Sequence, residues 1–570
     1  MKLKYGYLIA AIAVLALVAA SFTLLEGYGE AIASARLQGL SPERATGLTL
    51  GFISLFPIVL TVALAFITRE VVFSLLAGLF CAYVILEGVF GSGGFFSSLV
   101  SILIAVSENL LKTATDSFRA AIIILCLCIG GMVEGINASG GFAALGRRIT
   151  GNIATPKRAA LTAQLLGMCL FFDDYANSLI TGPVMRRITD DNGVSREKLA
   201  YIVDSTAAPI AGIAVISSWI AAELSAIESG FEVTGMEGSA YAHFLASIPF
   251  CFYNFAAVTI VFSTTLFGME YGPMLHAERR ARKGEPLKPG SACVETETGA
   301  VLEAGSVWSV LLPVLTLIAY AFVGFYVSGV RAAAQAGLET LSISDAFANA
   351  DTVSVLMRAA ILSSIVAIFT GCVTGRITIS SGFAAWLRGM SGIMLTAAIL
   401  LLAWGLSAAV GELGSAYYLV ELVTLNLSYR LLPMIIFVVC CVISFGTGSF
   451  GCLMIVMPIA VPIAFSAVKV FAVPYSERLI SACIAAVLSG SIFGDHCSPV
   501  TDTTILSAMG AGCDGLDHVK TQLPYALTAA AAVSLLGYLP AGFGLPPAIS
   551  LALSAAAGVL AVRLLGRRVE

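Results

Sequence analysis

Residues 490–504 read Gly-Ser-Ile-Phe-Gly-Asp-His-Cys-Ser-Pro-Val-Thr-Asp-Thr-Thr. They set two carboxylates (Asp495, Asp502), an imidazole (His496) and the hydroxyls of Ser498, Thr501, Thr503 and Thr504 in an otherwise apolar stretch. An apolar segment carries that load to membrane depth only where its backbone unwinds inside protein or around water. The freed carbonyls, hydroxyls and carboxylates then make an oxygen-rich site for a hard cation, as in discontinuous transporter helices.

Three further stretches have the same character: Phe171-Phe172-Asp173-Asp174-Tyr175-Ala176-Asn177-Ser178, Asp204-Ser205-Thr206-Ala207-Ala208-Pro209, and the glycine-rich run from Phe445 to Gly451. Pro209 and Pro499 each remove an amide hydrogen and crowd the preceding turn, which opens a helix and releases carbonyls. Adjacent carboxylates on a helix diverge by about 100°, so Asp173 and Asp174 do not both face one ion. Asp174 is preferred, because Asn177 and Ser178 follow on its face. The candidate cation ligands are therefore Asp174, Asn177 and Ser178 at the first break and Asp204, Ser205 and Thr206 at the second. Asp495, Ser498, Thr501, Asp502 and Thr503 join them from the last. Proton coupling falls to Asp173, Asp174, Asp495, His496 and Asp502. His496 reads equally as a proton shuttle or as hydrogen-bonded scaffold. Glu134 with Asn137, and Glu412, are secondary candidates, whereas Glu108 and Asp116 mark a helix end. His243, His276 and His518 lie near loops and are expected to be solvated.

These residues need a membrane-spanning frame, and the composition supplies one. Hydrophobic residues make up 58% of the chain and charged residues 12%, about half the charge of an ordinary soluble domain; mean hydropathy is +0.94. Apolar runs of spanning length recur from Tyr7 to Leu565. A net charge of −4 gives no case for nucleic acid. The 13 cysteines are scattered without paired spacing and read as small buried apolar residues. Tyr7 to Leu25 follows Lys2 and Lys4 and is long enough to be a retained first helix, although Val18-Ala19-Ala20-Ser21 resembles a cleavage site.

Lysines and arginines of short loops fix the threading. With Lys2 and Lys4 inside, Arg69, then Arg147 to Arg158, then Arg279 to Lys283 all stay inside if 159–185 is a re-entrant hairpin tipped by Asp173-Asp174. In this threading 71–90 leads to the turn 91–94 and 118–146 returns. A second hairpin, 432–470, is tipped by 445–451. Phe56-Pro57 matches Leu312-Pro313, Gly130 matches Gly405, Tyr175 matches Phe450 and Pro183 matches Pro458, in the same order. The expectation is an all-α polytopic membrane protein of about twelve transmembrane helices plus two re-entrant hairpins, built as two inverted-topology repeats with broken helices. Its parts are an N-terminal helix and external loop (1–49), a first repeat (50–269), a cytoplasmic linker (270–305), a second repeat (306–540) and a C-terminal helix (541–570).

Asp173-Asp174-Tyr175-Ala176-Asn177, the run Gly494 to Thr504 and Gly272-Pro273-Met274 before a basic loop resemble the NhaC-type sodium/proton antiporter family over most of residues 50–540. Val500 and Thr501 stand where that family often has Ile and Ser; Thr501 keeps the hydroxyl. The resemblance implies a multi-pass secondary transporter of the ion-transporter superfamily in a bacterial inner membrane. Sodium and protons would be its cargo, without a cofactor or enzymatic activity. Some members of the family resemble malate/lactate exchangers. A sodium- or proton-coupled exchanger of a small organic anion or amino acid is therefore the alternative, weakened by the lack of Lys or Arg in the breaks themselves. A homodimer is compatible with either. An intramembrane aspartyl protease would show Gly-x-Gly-Asp, and residue 492 is Ile492.

Overall fold

A computed structural model describes residues 28–569 except 38–39, 69, 91–94, 150–152, 154, 235–237, 290–304, 336–349, 416, 419–420, 422–427 and 499–500. The expected first helix, the turn 91–94, residues 290–304 of the linker and Pro499 thus lie outside the described residues.

The first half runs α1 (Tyr28–Leu37), α2 (Pro42–Leu50), α3 (Phe52–Thr68), α4 (Val71–Phe90), α5 (Phe95–Thr115), α6 (Ser117–Ala138), α7 (Gly141–Ile149), α8 (Pro156–Cys169), α9 (Asp174–Asp191), α10 (Arg196–Thr206), α11 (Ala208–Ala211), α12 (Ile220–Thr234), α13 (Ala240–Ser247) and α14 (Phe252–Phe267). A short strand β1 (Met269–Glu270) and α15 (Gly272–Ala281) follow. The second half runs α16 (Trp308–Gln335), α17 (Thr352–Val373), α18 (Ile379–Gly392), α19 (Met394–Glu412), α20 (Leu432–Phe471), α21 (Ser476–Asp495), α22 (Asp502–Ala511), α23 (Gly515–Val533), α24 (Leu539–Gly542) and α25 (Pro547–Leu565), with β2 (Arg567–Arg568) antiparallel to β1.

Among the described residues, nine helices are long and apolar enough to cross a membrane, or eleven if two bent pairs each count as one. The bends are 84° between α2 and α3, and 43° between α13 and α14. The protein is an all-α polytopic membrane protein with broken helices. Large apolar side chains such as Val323, Ile365, Phe369 and Leu564 stand exposed around it, the expected surface of a protein solvated by lipid.

Two helices were not anticipated. α5 carries Ser97, Ser98, Ser101, Ser107, Glu108, Asn109 and Lys112, which hides its apolar face in an averaged hydropathy. Its Asn109 amide donates to the Tyr83 hydroxyl at 2.8 Å and the Gly405 carbonyl at 3.3 Å. α18 starts on a capping box between Thr378 and Ser381. They occupy matching places in the two halves. α3 to α6, a hairpin and an interrupted helix are followed in the second half by α16 to α19, a hairpin and an interrupted helix. The external loop expected to run to residue 49 instead contains α1 and nearly all of α2.

The segment joining the halves is docked onto α10. Lys198 pairs with Glu270 at 2.8 Å with both side chains buried, and donates to Thr264 at 2.6 Å. Arg280 forks onto Glu197 at 2.8 and 2.9 Å, and Glu278 accepts from the Ser195 amide and hydroxyl. Tyr525 donates to the second Glu270 oxygen at 2.5 Å. Buried charges persist where paired and hydrogen-bonded in this way.

Candidate functional site

The first hairpin is built by α8 and α9. Thr155 caps α8 and Pro156 fits its first turn; the chain leaves the helix after Cys169 and re-enters at Asp174. Asn177 Nδ2 donates to the Gly167 carbonyl at 3.0 Å. In one straight helix those residues would stand about 15 Å apart, so the chain reverses between them. The same amide donates to the Thr206 carbonyl at 2.7 Å, and Asn177 Oδ1 accepts from Thr181 at 2.9 Å. Asn177 therefore ties the hairpin to the end of α10. Asp173 and Asp174 are buried at the tip.

The second hairpin is α20. Gly448 has φ 75° and ψ 173°, a conformation open to glycine. Cys452 Sγ comes within 3.5 Å of the Cys440 carbonyl, whereas a straight helix would separate them by about 18 Å. The first arm packs along α21 and the break after it: Ser444 donates to the Gly490 carbonyl at 2.8 Å, and Ser498 to the Phe445 carbonyl at 2.7 Å.

Between the tips lie two helix breaks. α10 stops at Thr206 because Ala207 adopts φ −88° and ψ −99°, and Pro209 follows. The Pro209 carbonyl accepts from Asn254 at 3.0 Å, and Asn254 in turn from Ser489 at 2.8 Å. α21 stops at Asp495. Its freed carbonyl accepts from Thr503 at 3.4 Å and from Thr504, while Thr501 donates to the Ser498 carbonyl at 3.1 Å. These hydroxyls satisfy backbone acceptors that a membrane interior would otherwise leave dry. Asp502 opens α22; its side chain lies outside the described residues.

Asp204 is buried in the last turn of α10 and is held from the other half. Gln522 Nε2 donates to its Oδ2 at 2.6 Å, Ser507 to its Oδ1 at 3.5 Å, and His518 Nε2 stands 3.4 Å from Oδ2. Ser178 and Ser507 share a hydroxyl bond at 3.1 Å. Ser205 Oγ meets His496 Nε2 at 2.7 Å, Tyr253 OH meets His496 Nδ1 at 2.8 Å, and Gln522 also donates to the His496 carbonyl. Ser178, Asp204, Ser205 and His496 thus join one continuous polar network. Asp495 accepts from the Ser449 amide at 3.4 Å, so it, Ser498 and Thr501 stand beside the second tip. A loop links the two tips: Ser218 N donates to the Phe172 carbonyl at 2.9 Å, and the neighbouring Trp219 ring packs on Phe450 at 4.8 Å.

Helix polarity divides the acids. Asp174 opens α9, at the positive end of a half-helix. Asp204 and Asp495 sit in the last turns of α10 and α21, at the negative end, where a bare carboxylate is disfavoured and a cation or proton beside it is favoured.

His518, expected to be solvated, is fully buried against Asp204. The signal for its burial is Gln522 four positions on, the spacing that puts both on one helix face. Ser507 and Tyr253 also went unremarked; nothing in their local sequence sets them apart. Glu134 pairs with Asn137 at 3.2 Å and Arg388 at 3.6 Å, and Glu412 is exposed, so neither joins the network. Asp116 caps α6.

The family model described as "Na+/H+ antiporter family" matches residues 210–543. An uncharacterized protein of Haemophilus influenzae is 32% identical over 494 residues, covering 86% of this chain and 91% of its own. Among solved structures, the Alcanivorax borkumensis YdaH transporter aligns with a TM-score of 0.53 at 14% identity over 79% of this chain and 90% of its own. The likeness is one of fold. The Neisseria gonorrhoeae MtrF structure aligns at a TM-score of 0.40 and 16% identity, over 82% of this chain and 85% of that one.

Proposed function

This chain belongs to the Na+/H+ antiporter family, and we propose that it exchanges sodium ions for protons at carboxylates held on broken helix ends inside the membrane. It is a multi-pass secondary transporter. The observation that carries the finer reading is the pair Asp204 and Asp495: both buried, both in the last turn of an interrupted helix.

A carboxylate there is costly when charged and empty. Sodium neutralises it through hard oxygen ligands, and a proton neutralises it by covalent bonding to the same oxygens; each therefore displaces the other. The neutralised centre crosses between the two faces, while the bare anion is held back. Ser507 offers an additional oxygen at Asp204, with Ser178 bonded to it in turn, and Ser498 and Thr501 offer theirs from the break that follows Asp495. Movement of the hairpins and broken helices against α3 to α6 and α16 to α19 would expose the centre to each side in turn. The setting would be a bacterial inner membrane.

An organic-anion exchanger would need a positive anchor. The basic side chains nearest along α10 are engaged: Lys198 with Glu270, and Arg196 with Asp190 at 3.2 Å. Cation exchange is favoured on that ground.

In proteoliposomes carrying a pH-sensitive dye, an imposed sodium gradient should drive proton movement, and Asp204→Asn and Asp495→Asn should each reduce it to the protein-free background. Full flux in both variants would remove these carboxylates from the mechanism. Counterflow of malate, lactate or amino acids without sodium-driven proton movement would replace the reading with its alternative.

A further inference from the structure

Among the described residues, one carboxylate outside this network has no hydrogen-bonding partner. Glu223 lies in the first turn of α12, buried to 1% exposure, and its Oε2 makes no hydrogen bond. Helices α6, α13, α19 and α20 pack against α12; the buried Cys251 thiol lies within electrostatic reach of Glu223, α6 adds the buried thiols of Cys126 and Cys128, and Tyr241 of α13 donates to the Val215 carbonyl at 3.2 Å. Arg119 of α6 bonds Glu232 at 2.9 Å and lies over Trp404, and Glu134 pairs with Arg388. Lys469 of α20 stands over Phe465 at 4.3 Å. His243 of α13 meets the Ser239 carbonyl at 3.1 Å and the Phe231 ring edge, and Glu412 of α19 is exposed. α20 adds the buried thiols of Cys440, Cys441 and Cys452. On α12 itself, Glu228 is acidic and Glu232 is taken by Arg119.

A second observation lies one turn below. The buried Ser218 Oγ and Trp219 Nε1 also make no hydrogen bond, and Glu223 N donates to the Trp219 carbonyl at 3.0 Å. These are the residues that touch Phe172 of the first tip and Phe450 of the second. An orphan acceptor in the first turn of α12 and two orphan donors just before that helix therefore fall within six residues of chain, beside the contacts with both tips. Native interiors rarely leave such groups unsatisfied, and a charged carboxylate without cation, donor or water is the costliest kind.

We propose that Glu223 is a second proton site of the exchange cycle, distinct from the carboxylates that bind sodium. In the closed arrangement that carries protons, the Glu223 carboxyl is neutral and holds a proton. When the tips part, water reaches Ser218, Trp219 and Glu223, the proton passes to that water, and the hydrated carboxylate makes the sodium-carrying return before it is reprotonated on the other side. The cycle then carries one proton more than the Asp204 and Asp495 centre alone provides, so one further positive charge per cycle moves in the proton's direction. This rests on the exchange proposed above.

The test uses full-length protein in proteoliposomes. The proton-to-sodium ratio is taken from the gradients at which net flux vanishes, and sodium affinity from sodium/sodium exchange without a pH gradient. Glu223→Gln should lower the ratio by one while sodium affinity stays within about twofold. An unchanged ratio would overturn the proposal, as would a loss of about tenfold or more in sodium affinity, which would make Glu223 a sodium ligand. Wild-type protein gives a reading that needs no variant. Dicyclohexylcarbodiimide, which attacks protonated carboxyls in apolar surroundings, should label Glu223 in a manner sodium does not suppress. Absence of the label, or protection by sodium, counts against the site. If wild-type protein moves no protons against sodium, the exchange reading fails, and the carbodiimide result alone decides whether Glu223 carries a proton.

Discussion

α10 and α21 perform the same task, presenting a carboxylate at a broken helix end, and they are held in opposite ways. α10 is clamped by charge: Lys198 to Glu270 and Glu197 to Arg280 at its start, with Asp204 gripped by Gln522 and Ser507 of the other half at its end. α21 is held by close packing, with Gly490 and Gly494 pressed against the first arm of α20 at Cys440 and Ser444. Between helices in a membrane, small residues and backbone approach do what hydrophobic burial does in water. The difference locates the control points. Asp204 answers to residues across the seam between the halves, Asp495 to the tip of its own hairpin through the Ser449 amide.

The largest effect expected from breaking this contrast is on the charged clamp. Lys198→Met leaves Glu270 buried and uncompensated, which costs about 3–5 kcal/mol. Lys198→Met with Glu270→Met removes both charges and should recover most of that loss. Thermal unfolding in detergent measures both. Equal destabilisation by the single and double variants would mean the pair is not what anchors α10.

The packed side gives the next effect. A Cβ at Gly494 would run into the Ser444 carbonyl, whereas one at Gly411 meets nothing within 4 Å. Gly494→Ala should cost about 1–3 kcal/mol and displace the hairpin from Asp495, lowering exchange, with Gly411→Ala unchanged in both. Full activity in Gly494→Ala would show that α20 and α21 need not touch there for the cycle.

The sequence disclosed this contrast unevenly. Phe171 to Ser178 and Phe445 to Gly451 announced chain reversals because polar or glycine residues interrupt apolar runs of spanning length, a local signal. The breaks at Asp204 and Asp495 were legible for the same reason, each being followed by a proline. α5 and α18 were not legible. Their polar residues lower the averaged hydropathy, and only neighbours such as Tyr83 and Gly405 show that Asn109 is satisfied inside. The burial of His518 and Glu223 is illegible for a non-local reason: whether a side chain near a helix start is wet or dry depends on which distant helix covers it. Polar groups that form a run can be read from sequence; polar groups that meet only through folding cannot.

The smallest effect tests the seam itself. Ser507 bridges Ser178 and Asp204, but its bond to Asp204 is long, 3.5 Å, and Gln522 remains at 2.6 Å with His518 at 3.4 Å. Ser507→Ala should therefore cost about 0.5–1.5 kcal/mol and shift half-saturation by sodium by about tenfold at most, read from the same proteoliposome flux. Gln522 should be the more sensitive position, since Gln522→Leu removes the donor shared by Asp204 and the His496 carbonyl. That donor joins the break of one half to the break of the other. If Ser507→Ala proved the more damaging of the two, the hydroxyl would be acting as an ion ligand instead of as a brace.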